Sequence, residues 1–143
     1  LHSSVDKNRR KHIESPILAT PGVTVGCDVT GTVVALGSKV TKDYKVGDRI
    51  SGVTHGSNLS EPEDGTFGEY CVVKEGLTFK VPEHMSDEQA ATVGVAVTTI
   101  ASGLYDKLGM PMPGSQKTGD GQWLLVYGGS TAMGTFAIQC AVL

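Results

Sequence analysis

Trp123-Leu-Leu-Val-Tyr-Gly-Gly-Ser-Thr-Ala-Met-Gly-Thr-Phe-Ala-Ile-Gln-Cys-Ala-Val-Leu143 decides how this chain is read. An apolar run of strand length, 123–127, breaks at Gly128-Gly129, and an apolar run with helical spacing follows. Strand, glycine turn and helix, in that order, are what a dinucleotide pyrophosphate requires. The glycines let the backbone come close, and the helix N-terminus offers free N–H groups and a partial positive charge. A residue that reads the ribose is expected about twenty positions further on, past Leu143. The sequence also opens on Leu1 rather than Met. The expectation is therefore a chain cut at both ends, holding only the start of its cofactor lobe and inactive by itself.

Working outward, the composition fits a globular protein: 143 residues, 19% charged and 39% hydrophobic, with 19 glycines that suit short strands and tight turns. A net charge of −3 and the lack of a basic stripe beyond the cluster at 7–11 argue against a nucleic-acid partner. Cys27, Cys71 and Cys140 are odd in number and irregularly spaced, so neither a disulfide framework nor a C-x-x-C zinc site is expected. No apolar run reaches the length of a membrane span, and 1–10 have no signal-peptide core. Reduced thiols and a cytoplasmic location follow as expectations.

Residues 1–15 show no period and read as irregular. From Gly22 to Val81, short β-branched runs alternate with glycine turns, giving expected strands at 31–36, 49–53, 67–73 and 77–81. Lys45-Val-Gly-Asp48 reads as a turn, and the spacing as a small antiparallel barrel. After Pro82, Ser86-Asp-Glu-Gln89 fits a capping box that starts a helix over 87–92. Gly94 is expected to interrupt it, with a second helix over 96–108 and a polar linker over 114–121. A strand over 123–127 and the helix after Gly129 complete the pattern.

Several of these pieces, in order, resemble the medium-chain dehydrogenase/reductase superfamily. Gly26-Cys-Asp-Val-Thr-Gly31 looks like its G-x-[ED]-x-x-G motif, Lys45-Val-Gly-Asp-Arg49 its GDRV turn, and Gly65-Thr-Phe-Gly-Glu-Tyr70 its GxFxEY segment. Val81-Pro-Glu-His-Met-Ser-Asp-Glu-Gln-Ala-Ala91 matches its helix entry. Leu108-Gly-Met-Pro-Met-Pro113 and Tyr127-Gly-Gly-Ser-Thr-Ala132 are most similar to the fungal trans-acting enoyl reductases, the zinc-free branch that partners polyketide synthases. The resemblance implies a mixed α/β chain. A GroES-like β-barrel lobe (16–92) and linking helix and loop (93–121) precede the first strand-turn-helix of an incomplete Rossmann lobe (122–143).

The resemblance also assigns residues. Lys11, Gly128, Gly129, Ser130, Thr131, Ala132 and Met133 fall where the family binds NADPH. Main-chain amides and the Ser130 and Thr131 hydroxyls are the expected phosphate donors, while Met133 departs from the small or hydroxylic residue of relatives. Thr99, with Thr98 as the alternative register, lies near the family's nicotinamide and substrate carbonyl. A threonine bonded back to its own helix is the plainer reading of it. Thr99, Ile100, Ala101, Ser102, Gly103, Leu104, Tyr105 and Asp106 fall on the substrate-cleft segment. Lys11 and Thr99 are the catalytic candidates, although 5–10 depart from the family segment ahead of Lys11. Cys27 stands where zinc-dependent members place a histidine ligand. His2, His12, His55 and His84 are scattered, so no metal is expected.

The implied activity is NADPH-dependent hydride transfer to an α,β-unsaturated, carrier-bound or free acyl thioester, with a polyketide synthase as partner. The alternatives are a zinc-free quinone-type oxidoreductase and an inactive fragment.

Overall fold

The computed structural model describes residues 21–115 and 123–142. The chain divides into two compact units between Val95 and Ala96. Lys11 and the expected irregular segment 1–15 lie outside the described residues, as does most of the linker.

The first unit is built on a three-stranded antiparallel sheet in the order β1 (Asp28–Thr32), β2 (Arg49–Val53), β3 (Thr78–Lys80). β2 is central: Asp28 lies opposite Val53 and Thr32 opposite Arg49 on one side, and Ile50 opposite Lys80 on the other. The expected strand at 49–53 is found with those bounds, and the one at 77–81 as Thr78–Lys80. The first strand comes three residues earlier than expected. Val34 and Leu36 are exposed and join no strand, because the apolar run continues past the end of β2's pairing surface. The Lys45–Asp48 turn forms as anticipated, with Gly47 at φ +96°, a conformation side chains rarely adopt. The Asp48 carboxylate accepts the Lys45 N–H at 2.8 Å.

No strand forms over 67–73. Phe67, Tyr70 and Val72 are exposed, and the Thr66 and Phe67 amides both donate to the Val25 carbonyl instead.

 Repeating β-branched and aromatic residues is not enough without a neighbouring strand to pair with. That loop is tied down elsewhere: Asp64 is buried and accepts from Lys74 Nζ at 2.8 Å and from Asn58 Nδ2 at 3.2 Å.

Behind the sheet sits α1 (Asp87–Ala90), shorter than the expected 87–92. Its capping box is complete: Ser86 Oγ accepts the Gln89 N–H, and Gln89 Oε1 accepts the Ser86 N–H. β2 holds α1 at two points. The fully buried Ser51 donates to the Ala90 carbonyl at 2.7 Å, and Arg49 reaches both Asp87 (2.6 Å) and the Met85 carbonyl (2.9 Å). Val29, Val33, Ile50, Val81, Ala90 and Ala91 make the apolar core of this unit.

Gly94 opens the next helix rather than interrupting the previous one: α2 runs Gly94–Ile100 and crosses the boundary between the units. A Cβ on Gly94 would overlap the Gly52 carbonyl of β2, so only glycine permits that approach. The expected single helix over 96–108 is thus replaced by α2 and a π-helical continuation, Ala101–Lys107, in which the Leu108 N–H reaches back to the Gly103 carbonyl at 3.0 Å.

The second unit also holds α3 (Ala132–Ala141), the helix expected after the glycine turn. The strand expected at 123–127 is absent. Trp123 and Tyr127 are 98% and 100% exposed, and no described segment pairs with them, so nothing supplies the ladder that defines a strand. No helix among the described residues is long and apolar enough to cross a membrane.

Candidate cofactor and substrate site

The glycine turn is shaped by three glycines and one threonine. Gly128 has φ +85°, which turns the chain sharply into the helix. Thr131 is the N-cap of α3: its Oγ1 accepts the Gly134 N–H at 3.0 Å and donates to the Gly128 carbonyl at 2.8 Å. In this structure that hydroxyl both donates and accepts within the turn. Ser130 is exposed, with no partner for its hydroxyl among the described residues. The amides of Ala132 and Met133, in the first turn of α3, have no acceptor one turn back, as in any helix start.

Gly134 belongs to the turn although the sequence reading passed over it. A Cβ there would overlap the Gly128 carbonyl oxygen and stand 2.7 Å from Gly129 Cα. Its lack of a side chain lets the helix start pack directly on the turn. The available signal was a glycine in the first turn of an otherwise apolar helix, a costly choice unless backbone must approach.

The segment 99–106 falls on the end of α2 and the π-helical turns. Thr99, Ser102 and Asp106 are exposed, Ile100, Ala101, Gly103 and Tyr105 are partly covered, and Leu104 is buried. The plainer reading of Thr99 fails: Thr92 and Thr135 do bond back to carbonyls three residues earlier, but Thr99 has no hydrogen-bond partner among the described residues. Thr98, the alternative register, is already engaged. The Tyr105 hydroxyl is closed off from solvent against the Cys140 thiol of α3, a weak partner that leaves it without a well-formed hydrogen bond. Burial first, and then Cys140, hold its phenol above the ordinary value. No hydrogen bond joins 99–106 to 128–133 among the described residues.

Cys27 precedes β1, and its carbonyl accepts the Thr54 N–H at 2.8 Å. Among the described residues no three His, Cys, Asp or Glu side chains gather into a metal-sized cluster. The neighbouring Asp28, at the start of β1, makes a long-range contact. Its Oδ1 accepts the N–H of Val95, 67 residues away, at 2.9 Å.

Comparison with known proteins places this architecture. The alcohol dehydrogenase GroES-like domain family matches residues 3–83. An alcohol dehydrogenase superfamily protein from Novosphingobium aromaticivorans superposes with a TM-score of 0.76 at 29% identity, covering 99% of this chain and 39% of that one. The chain belongs to the alcohol dehydrogenase GroES-like domain family, which bears out the superfamily and the GroES-like lobe read from the motifs.

Its curated relatives narrow the branch. Trans-enoyl reductase resD of Aspergillus sclerotiorum is 43% identical over 93% of this chain and 40% of its own length. Trans-enoyl reductase TOXD of Cochliobolus carbonum is 44% identical over 88% of this chain and 42% of its own. The chain thus spans about two fifths of the length of these relatives.

Proposed function

We propose that the protein is an NADPH-dependent enoyl reductase that reduces the carbon–carbon double bond of an α,β-unsaturated acyl thioester. It acts in trans with a polyketide synthase, in the cytoplasm, as part of fungal secondary metabolism. The observation that carries this reading is identity of 43% to a trans-enoyl reductase across nearly the whole chain.

Two features of the glycine turn support a dinucleotide phosphate there: Gly134 lets the start of α3 pack directly on the Gly128–Gly129 backbone, and the exposed Ser130 hydroxyl has no partner among the described residues. Gly128, Gly129, Ser130, Thr131, Ala132 and Met133 would hold the phosphates, with main-chain amides and Ser130 donating and Thr131 keeping the amides in place. Lys11 would add a positive charge. When bound, NADPH supplies the hydride that the β-carbon accepts.

This chain's own residues would do the rest. Thr99 has a hydroxyl free to donate to the thioester carbonyl, where negative charge grows as the β-carbon gains hydride. Ile100, Ala101, Ser102 and Gly103 would shape the neighbouring surface, with Leu104, Tyr105 and Asp106 completing the segment. Leu104 and Tyr105 act through packing, since one is buried and the other has its hydroxyl against Cys140. No metal is needed, because the carbonyl is already conjugated to the carbon that reacts.

The test is to assay the full-length natural protein with NADPH against an enoyl thioester and, separately, against a quinone. Turnover of the thioester supports the proposal. Turnover of the quinone alone replaces it with a quinone-type oxidoreductase.

A further inference from the structure

We propose that Asp28 is a positioning residue for the reaction: its carboxylate, set in the sheet of the first unit, anchors the helix turn that presents Thr99. This rests on the reading of Thr99 given above.

A helix begins with amides that have no partner in the helix itself, and a side chain just ahead of it normally supplies one acceptor. Neither of the two side chains just ahead of α2 supplies it. The residue before Gly94 is Val93, with no polar side chain, and the Thr92 hydroxyl is turned back to donate to the Gln89 carbonyl at 2.8 Å. The cap comes from far away in sequence instead. Asp28 Oδ1 accepts the Val95 N–H at 2.9 Å, and Asp28 is only 9% exposed and paired in β1 opposite Val53.

A second contact fixes the same turn. Gly94 lies so close to the Gly52 carbonyl of β2 that any side chain would collide with it. The start of α2 is thus pinned to two adjacent strands, once by a hydrogen bond and once by backbone contact. A carboxylate is also the favoured charge at this end of a helix.

The anchored amide and Thr99 are four residues apart. In an α-helix that spacing puts both on one face, one turn from each other and about 6 Å along the axis. Whatever moves Val95 therefore moves the Thr99 hydroxyl. A placement error on the order of 1 Å is enough to cost a catalytic donor about a hundredfold.

The test uses the full-length natural protein with three variants at position 28, together with Thr99→Ala. Asp28→Ala removes the acceptor, Asp28→Asn keeps an oxygen in the same place, and Asp28→Glu keeps the charge but moves the oxygen. The expected result is a fall in kcat of at least about tenfold for Asp28→Ala, with KM for NADPH unchanged and most of kcat kept in Asp28→Asn. Thr99→Ala should cost less in the Asp28→Ala background than in the wild type, since the two act through one helix turn.

A folded Asp28→Ala protein with wild-type kcat overturns the proposal, as do effects of Asp28→Ala and Thr99→Ala that simply multiply. Where Asp28→Ala does not fold, the other two variants decide: Asp28→Asn more active than Asp28→Glu supports the cap, and the reverse order refutes it. Amide hydrogen exchange at 95–99 separates this proposal from the reading of the reaction. If the wild type reduces no enoyl thioester, that reading fails. Protection that is lost in Asp28→Ala and kept in Asp28→Asn still supports the anchor, and protection unchanged in both refutes it.

Discussion

Gly134→Ala tests the glycine turn most sharply, because two opposing effects can be weighed on the structure. In an open helix, alanine is better than glycine by about 0.8–1 kcal/mol. Here the new Cβ would overlap the Gly128 carbonyl and sit 2.7 Å from Gly129 Cα and 2.9 Å from Gly128 C. Ordinary contact starts at 3.4 Å, so the turn has to retreat by about 0.7 Å from Gly129 Cα alone. All three neighbours are backbone and cannot swing aside, so the overpacking cost lies near the top of the usual ~1–3 kcal/mol range. The net loss is about 2 kcal/mol, enough to lower Tm by a few °C. The same retreat carries the Ser130 and Ala132 amides away from a bound phosphate, and the Kd for NADPH should rise at least about tenfold, equivalent to roughly 1.4 kcal/mol. Thermal melts and an NADPH fluorescence titration of the full-length natural protein read both effects. Gly76→Ala is the control, since nothing lies within 4 Å of a Cβ there and its Tm should hold or rise. Wild-type NADPH affinity with a raised Tm in Gly134→Ala would refute the packing of helix on turn.

Other expectations concern the first unit and the cofactor. Ser86→Ala breaks the capping box of α1 and should lower stability by about 1 kcal/mol in a denaturant titration. Asp64 is held below its ordinary value of 3.8, first by its hydrogen bond to Lys74. A carboxylate depressed in the folded state contributes stability that is present above pH 3.8 and lost as pH falls through the folded value. The Tm should therefore drop on acidification below that point, and Asp64→Asn should flatten the drop; an unchanged slope would remove Asp64 as a cause. Turnover should favour NADPH over NADH, and equal rates with the two would contradict the assignment. Elemental analysis after dialysis against a chelator should find less than one equivalent of zinc, since no described cluster offers three ligands.

What could be read from the sequence was what depends on neighbours in sequence. The Ser86/Gln89 box, the Gly47 turn and the helix after Gly129 are local, and each is found where expected. β2 was legible because all five of its residues pair with β1 and its middle three, Ile50, Ser51 and Gly52, pair with β3 as well. Strands at 67–73 and 123–127 were misread because a strand needs a partner, and β propensity says nothing about whether one is there. The role of Asp28 was not legible for the same reason on a larger scale: its partner, Val95, lies 67 residues on. In the candidate site, the turn's position was legible but the division of labour was not. Thr131 and Ser130 look alike in sequence, yet one caps the helix and the other is left open. Lys11 lies outside the described residues, so its assignment still rests on resemblance.

The most direct measurement of the central claim follows the hydride itself. The full-length natural protein is given an enoyl thioester and NADPH carrying deuterium at the transferable C4 position, and the product is analysed by mass spectrometry and NMR. The account predicts one deuterium per saturated product, at the β-carbon, with the α-hydrogen drawn from solvent. A saturated thioester with no deuterium at the β-carbon, or no reduction of the double bond at all, would contradict it.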